Sequence, residues 1–113
     1  MKNAVATKYV EVRELECRGA VDPAEPEPVQ GSLLVGTTPV LEFEDYARAP
    51  SYGYDAVDIF PAFHNGERCW LRRDSWQAAH GYSASGTSEY ILSFEDGVKL
   101  FLERGVFAFP HPE

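Results

Sequence analysis

Cysteine, basic side chains and long apolar runs are all scarce in this chain. Its two cysteines, Cys17 and Cys69, stand 52 positions apart. That separation lacks the short spacing of a zinc or redox pair, so the expectation is two reduced, buried thiols. A single disulfide is the alternative for an exported protein. The opening stretch MKNAVATKYVEVRELE has no apolar run of about seven or more before a small-residue cleavage site, and no segment approaches the roughly 20 apolar residues needed to span a bilayer. A cytoplasmic protein is therefore expected. Aromatic residues, at 13%, are too plentiful for a disordered chain, and 113 residues suffice for one core but not two. The expected organisation is one compact domain over residues 1–113.

The shortage of basic residues is uneven. Residues 1–18 hold four basic and three acidic groups, residues 19–66 one basic and eight acidic, and residues 67–113 five basic and seven acidic. Nearly all of the formal net charge of −8 thus comes from the middle of the chain. Phosphate backbones and anionic membranes are bound through lysine and arginine, so this field disfavours both and attracts basic protein surfaces.

Residues 4–17 read as a strand, with Val5, Thr7 and Tyr9 in alternation and a bulge where the apolar phase changes between Val12 and Leu15. GAVDPAEPEPVQG, residues 19–31, has three prolines and three acids and reads as an extended loop. SLLV is a short buried strand. Over residues 38–48 the favoured reading is a helix with Thr38 as N-cap, Pro39 at its first position and Val40, Phe43 and Ala47 on one face. Alternation of Val40 and Glu42 against Leu41 and Phe43 gives the competing reading, a strand. Asn65-Gly66 predicts a type I′ hairpin between apolar runs, with Pro61 marking an edge strand. DSWQAAHG reads as a short helix from Asp74 to Gly81, and YSASGTS as a loop. The tail allows two readings. One is a hairpin through Asp96-Gly97. The other is a helix started by Ser93 and Asp96, carrying Val98, Phe101 and Leu102 inward and stopped by Gly105. Either way the fold class is α+β, a mainly antiparallel sheet with one to three short helices.

Catalytic signatures are thin. GYSASG lacks the glycine that a serine nucleophile elbow needs two places after Ser83, and reads as a polar loop. His64, His80 and His111 lack the close spacing of metal ligands, so no metal and no cofactor is expected. His64 reads as a turn residue and His80 as a residue at a helix C-terminus. A Cys69–His80 nucleophile and base pair is the enzyme alternative, because such partners meet in space rather than in sequence. Gly31 and Gly36 have no lysine following them to form a phosphate loop. WLRRDSW sets Arg72 and Arg73 between two tryptophans, a mixture able to stack on bases, but the acidic field favours an edge strand with local ion pairs.

What remains is EFEDYARAPSYGYD, residues 42–55, with four carboxylates and three tyrosines around one arginine. Tyrosine offers large contact area at low rotamer cost, and carboxylates accept bidentate hydrogen bonds from arginine. Glu42, Glu44, Asp45, Asp55 and Asp58 would imitate nucleic-acid phosphates before a basic groove, with Tyr46, Tyr52 and Tyr54 as anchors. A solvated acidic face with inward-packed tyrosine rings is the plain alternative.

In size, charge and lack of catalytic motifs the chain resembles two groups of small acidic proteins that bind nucleic-acid enzymes: phage-encoded anti-CRISPR inhibitors and bacterial immunity proteins. The first resemblance implies binding to a CRISPR surveillance complex or its nuclease in the cytoplasm of a bacterial host cell, blocking DNA access or nuclease recruitment. The second implies capture of one nuclease toxin. The expectation is a stoichiometric protein-binding inhibitor rather than an enzyme, anti-CRISPR first and nuclease immunity second.

Overall fold

The computed structural model describes residues 7–19, 25–45, 53–78 and 85–105. In chain order its elements are β1 (Tyr9–Glu11), β2 (Glu14–Leu15), β3 (Cys17–Gly19), β4 (Glu27–Pro28), β5 (Leu33–Gly36), β6 (Leu41–Glu44), β7 (Gly53–His64), β8 (Glu67–Ala78), β9 (Ser85–Ser93) and α1 (Phe94–Glu103). All pairings are antiparallel. The expected antiparallel sheet is present and dominant, with one helix among the described residues.

The centre is the hairpin of β7 and β8, paired from Gly53↔Ala78 to His64↔Glu67. Its turn has φ of 53° at Asn65 and 85° at Gly66, the two positive angles of a type I′ connection. The tip is tied down: Asn65 Oδ1 accepts from Ser32 N–H at 2.9 Å, and Asn65 N–H donates to the Ser32 carbonyl at 2.7 Å. The short helix expected from Asp74 is instead the last third of β8. Asp74 caps nothing; its carboxylate takes the Arg72 guanidinium, and the strand continues in register opposite residues of both β7 and β9. His80 and Gly81, its supposed end, lie outside the described residues.

The sheet order is β1-β5-β7-β8-β9-β3, with β6 also on β7. Strands β5 and β6 are thus two pieces of one neighbour, pairing residues 62–64 and 56–59 of β7 respectively. Pro61 lies at the break between them and so tolerates a central strand, not the edge expected of it. Val40 and Asp45 donate to the carbonyls of Ile59 and Asp55, so odd-numbered residues of β7 turn their backbone groups toward this side. The missing N–H of Pro61 falls where no ladder bond is required.

Residues 41–44 form a strand rather than the favoured helix. The β7 edge offers them hydrogen-bonding partners, and a period of two buries Leu41 and Phe43 partly while exposing Glu42 and Glu44. The single bulged strand expected near the amino terminus is three short ones. β1 pairs β5 at one margin of the sheet, β3 pairs β9 at the other, and residues 12–16 cross one face between them. The phase change at Val12 and Leu15 is this crossing. Both side chains, with Val29 from the β4 segment, pack on Leu33, Val35, Phe60, Ala62, Cys69 and Leu71. Part of the acidic, proline-rich loop is therefore ordered, since β4 pairs β2 and Val29 N–H reaches the Arg13 carbonyl at 2.8 Å; residues 20–24 lie outside the description.

The opposite face is covered by α1. Ser93 Oγ accepts from the Asp96 N–H at 3.1 Å, Glu95 and Asp96 complement the helix N-terminus, and Gly105 leaves at φ 77°. The helical reading of the tail is the one realised, with an altered inward face. Gly97 and Phe101 are buried, whereas Leu102, expected inside, is 48% exposed. The run from Phe94 through Gly97 to Phe101 sets the packing stripe, and Leu102 lies a quarter-turn off it. Phe101 meets Trp70 edge-on at 4.8 Å, Phe94 stacks on it at 5.5 Å, and Trp70 Nε1 donates to the Phe94 carbonyl at 3.1 Å. Val57 and Ile59 complete this second core. No helix of the described residues is long and apolar enough to cross a membrane.

Candidate functional site

The register of β6 on β7 sorts the acidic residues of the middle segment. Leu41, Phe43, Val57 and Ile59 face the core under α1, so Glu42, Glu44 and Asp58 face the other way. Glu42 stands directly opposite Asp58, and Glu42 and Glu44 are exposed. The next residue across the sheet from Asp58 is Arg73, whose Nε is engaged by Glu89 Oε2 at 2.8 Å. Among the described residues no ion pair engages Glu42 or Asp58. Like charges directly opposite on neighbouring strands repel, so the pair lowers fold stability and concentrates negative potential.

Asp45 and Asp55 are on the other face, and neither joins that row. Asp55 is 3% exposed, which withdraws it from the surface at which it was expected to act. Both carboxylates belong to the surroundings of Arg72. This buried guanidinium makes a forked pair with Asp74, Nε to Oδ1 at 2.6 Å and Nη2 to Oδ2 at 3.0 Å, and lies 3.7 Å from Asp45 Oδ2. Burial alone would lower the pKa of Arg72; the hydrogen bonds to Asp74 and the nearby charges of Asp74 and Asp55 outweigh it and raise the value. A buried cation needs such anions, so these aspartates have a local structural task. Of the expected tyrosine anchors, Tyr46 and Tyr52 lie outside the described residues. Tyr54 is placed by its backbone in β7, opposite Gln77.

The residues weighed for catalysis and nucleic-acid stacking are also placed. Cys69 is buried and its thiol is pushed up to about 11, first by burial, with Glu67 adding and a hydrogen bond to the His64 backbone opposing. That favours the thiol over the thiolate a nucleophile requires. Cys17 is exposed, contrary to expectation, because β3 is a marginal strand. His80, Ser83 and His111 lie outside the description. His64 does sit at the turn: its Nε2 donates to the Gln30 carbonyl at 2.7 Å, a carbonyl being able only to accept. Trp70 is 2% exposed and unavailable for stacking on bases, and Arg72 and Arg73 make ion pairs within an interior strand rather than an edge one. No group of three or more metal-ligating side chains comes together among the described residues.

Sequence reasoning missed a hollow on the same face as Glu42 and Asp58. A cleft of about 770 Å³ is lined by Arg18, Arg73, Ser75, Gln77, Ser85 and Thr87, among others. Ser75, Thr87 and Arg18 come from three strands in direct register. Only the alternation of β8 and β9 could have indicated it, and the helix expected over residues 74–81 concealed that alternation. Neither a protein-family model, nor a curated protein, nor a solved structure matches the chain.

Proposed function

We propose that this protein is a stoichiometric inhibitor that binds a basic protein surface, and that its target is a CRISPR surveillance complex or the nuclease such a complex recruits. One observation carries the reading: exposed Glu42 and half-buried Asp58 stand side by side on one sheet face, with Glu44 on the same face and, among the described residues, no ion pair at the first two. Such a row is unfavourable for the fold and complementary to an arginine or lysine cluster that normally holds phosphates. Occupancy of that cluster would exclude DNA or the recruited nuclease. Capture of a nuclease toxin by the same row is the second reading, and the identity of the bound partner separates the two.

The test is affinity capture from bacterial lysates containing CRISPR complexes, followed by titration of the purified partner with the wild type and with the triple variant Glu42→Lys, Glu44→Lys, Asp58→Lys. The expected result is a 1:1 complex with a basic nucleic-acid enzyme, weakened at least about tenfold by the triple variant and by raised salt, with unfolding midpoints preserved. Equal affinity of the triple variant and the wild type refutes the assignment. Reversal of Asp45 or Asp55 would perturb the Arg72 cluster instead of the surface.

A further inference from the structure

We infer that the cleft beside the acidic row is a binding site for a neutral pyranose sugar, independently of the inhibitor reading. The cleft's volume, about 770 Å³, is within the range of small-molecule sites, roughly 300–1,000 Å³. Its lining is unusual for such sites in being rich in hydrogen-bonding groups. Arg73 is fixed on two sides: Glu89, whose side chain is only 5% exposed, holds its Nε, and the Phe60 ring lies 4.8 Å from its Cζ. Glu89 is itself held, its Oε1 accepting from the Glu16 N–H at 3.0 Å. Arg18 is paired through Nε with Glu16 at 3.2 Å. Among the described residues no other hydrogen bond or ion pair engages either guanidinium, and none engages the hydroxyls of Ser75 or Thr87. The Nη groups of two arginines and two side-chain hydroxyls are thus available to a ligand.

Charge then decides the class of ligand. Each arginine already carries its own glutamate, so the cleft presents donors without net positive charge, and Glu42 and Asp58 lie in the neighbouring rows of the same face. Phosphate or sulfate would enter a negative field against a partly exposed Glu16. A cation would meet guanidinium donors. A neutral polyol satisfies both constraints, since vicinal hydroxyls accept from a guanidinium fork and donate to serine, threonine and glutamate oxygens. Trp76 alternates with Ser75 and Gln77 along β8, so its ring, which lies across Gly86, is on the other face, and the cleft would hold a sugar through its polar groups alone.

The experiment is an NMR titration of the whole ¹⁵N-labelled protein with glucose, galactose, mannose and N-acetylglucosamine separately, and with inorganic phosphate. At least one sugar is expected to saturate shifts at Ser75, Thr87 and the Arg73 Nε–H with a Kd of about 1 mM, ahead of phosphate. Thr87→Val, which keeps shape and strand preference, should weaken that sugar severalfold or more, and Arg73→Met should abolish saturation. Should Arg73→Met fail to fold, Thr87→Val alone decides. Absence of saturation by every sugar, tighter saturation by phosphate, or an unchanged Kd in Thr87→Val overturns the proposal.

Discussion

The indole of Trp70 occupies the space that a side chain at Gly97 would need. A Cβ built at Gly97 would run into Cδ1, Nε1 and Cγ of that ring, so the helix approaches the sheet as closely as it does only because position 97 is bare. Trp70 is held from both sides, by Phe94 and Phe101 of the same helix. The contact explains why a glycine, costly within a helix, sits in the middle of α1.

Gly97→Ala should therefore destabilise the fold despite raising helix propensity. Propensity gains about 1 kcal/mol, whereas overpacking a rigid contact costs roughly 1–3 kcal/mol. Urea unfolding should show a net loss, and a Trp70→Phe background should reduce it through coupling of the two sites. A stabilised Gly97→Ala protein would mean that the helix can lift from the sheet at little cost.

The Arg72 cluster gives a prediction whose size depends on pH. Replacing Arg72 by methionine leaves Asp74, Asp45 and Asp55 near one another without their shared cation, a change expected to cost about 3–5 kcal/mol at neutral pH. In that variant mutual repulsion and burial would oppose ionisation of these carboxyls in the folded state. The variant's stability should then be greatest while they are protonated and fall as they ionise, so its deficit should shrink on acidification. Denaturation of both proteins at pH 4.5 and pH 7 measures this. A deficit that is constant with pH would show that the arginine acts by packing alone.

The two cysteines should behave oppositely. Exposed Cys17 should react with a thiol reagent in the native protein, and Cys69 only on unfolding. The folded Cys69 pKa, about 11, is above the unfolded value, so the folded state retains a proton that the unfolded state loses. This contribution to stability is complete below the unfolded thiol pKa and is lost as pH rises toward 11. A steeper loss of stability above pH 9 in wild type than in Cys69→Ala is the expected signature. Equal reactivity of both thiols in native protein would contradict the burial.

How far the sequence reveals this structure depends on whether local or distant contacts choose each conformation. Asn65-Gly66 needs only its own positive φ angles and is legible in the chain, whereas Ser93 with Asp96 offers a helix start beside a hairpin through Asp96-Gly97, and packing on Trp70 favours the helix. Residues 41–44 and 74–78 are not, because their strands are chosen by long β7 and β9 edges that short-range periodicity does not contain. The charge of the acidic segment is equally plain in composition. Its division between a solvent-facing row and a buried arginine follows from strand register, which assigns alternate residues to opposite faces. Glu42 and Asp55 look alike in the sequence and differ entirely in surroundings.

That difference yields a last test, in which stability and binding move apart. Glu42 and Asp58 are directly opposed, so Glu42→Lys replaces a repulsive cross-strand pair with an attractive one and should stabilise the fold by about 0.2–1 kcal/mol. If the row exists to meet a basic partner, the same substitution should weaken that complex and flatten its salt dependence. A side chain kept for the fold would give the opposite pairing, loss of stability with unchanged association. Chemical denaturation of the single variant, set beside titration against the captured partner at two salt concentrations, reads both quantities from one protein. Stabilisation together with weakened binding identifies a pair whose repulsion is tolerated for the sake of the contact. Stabilisation with full binding would show that the repulsion has no such purpose and that the partner, whatever its charge, is met elsewhere.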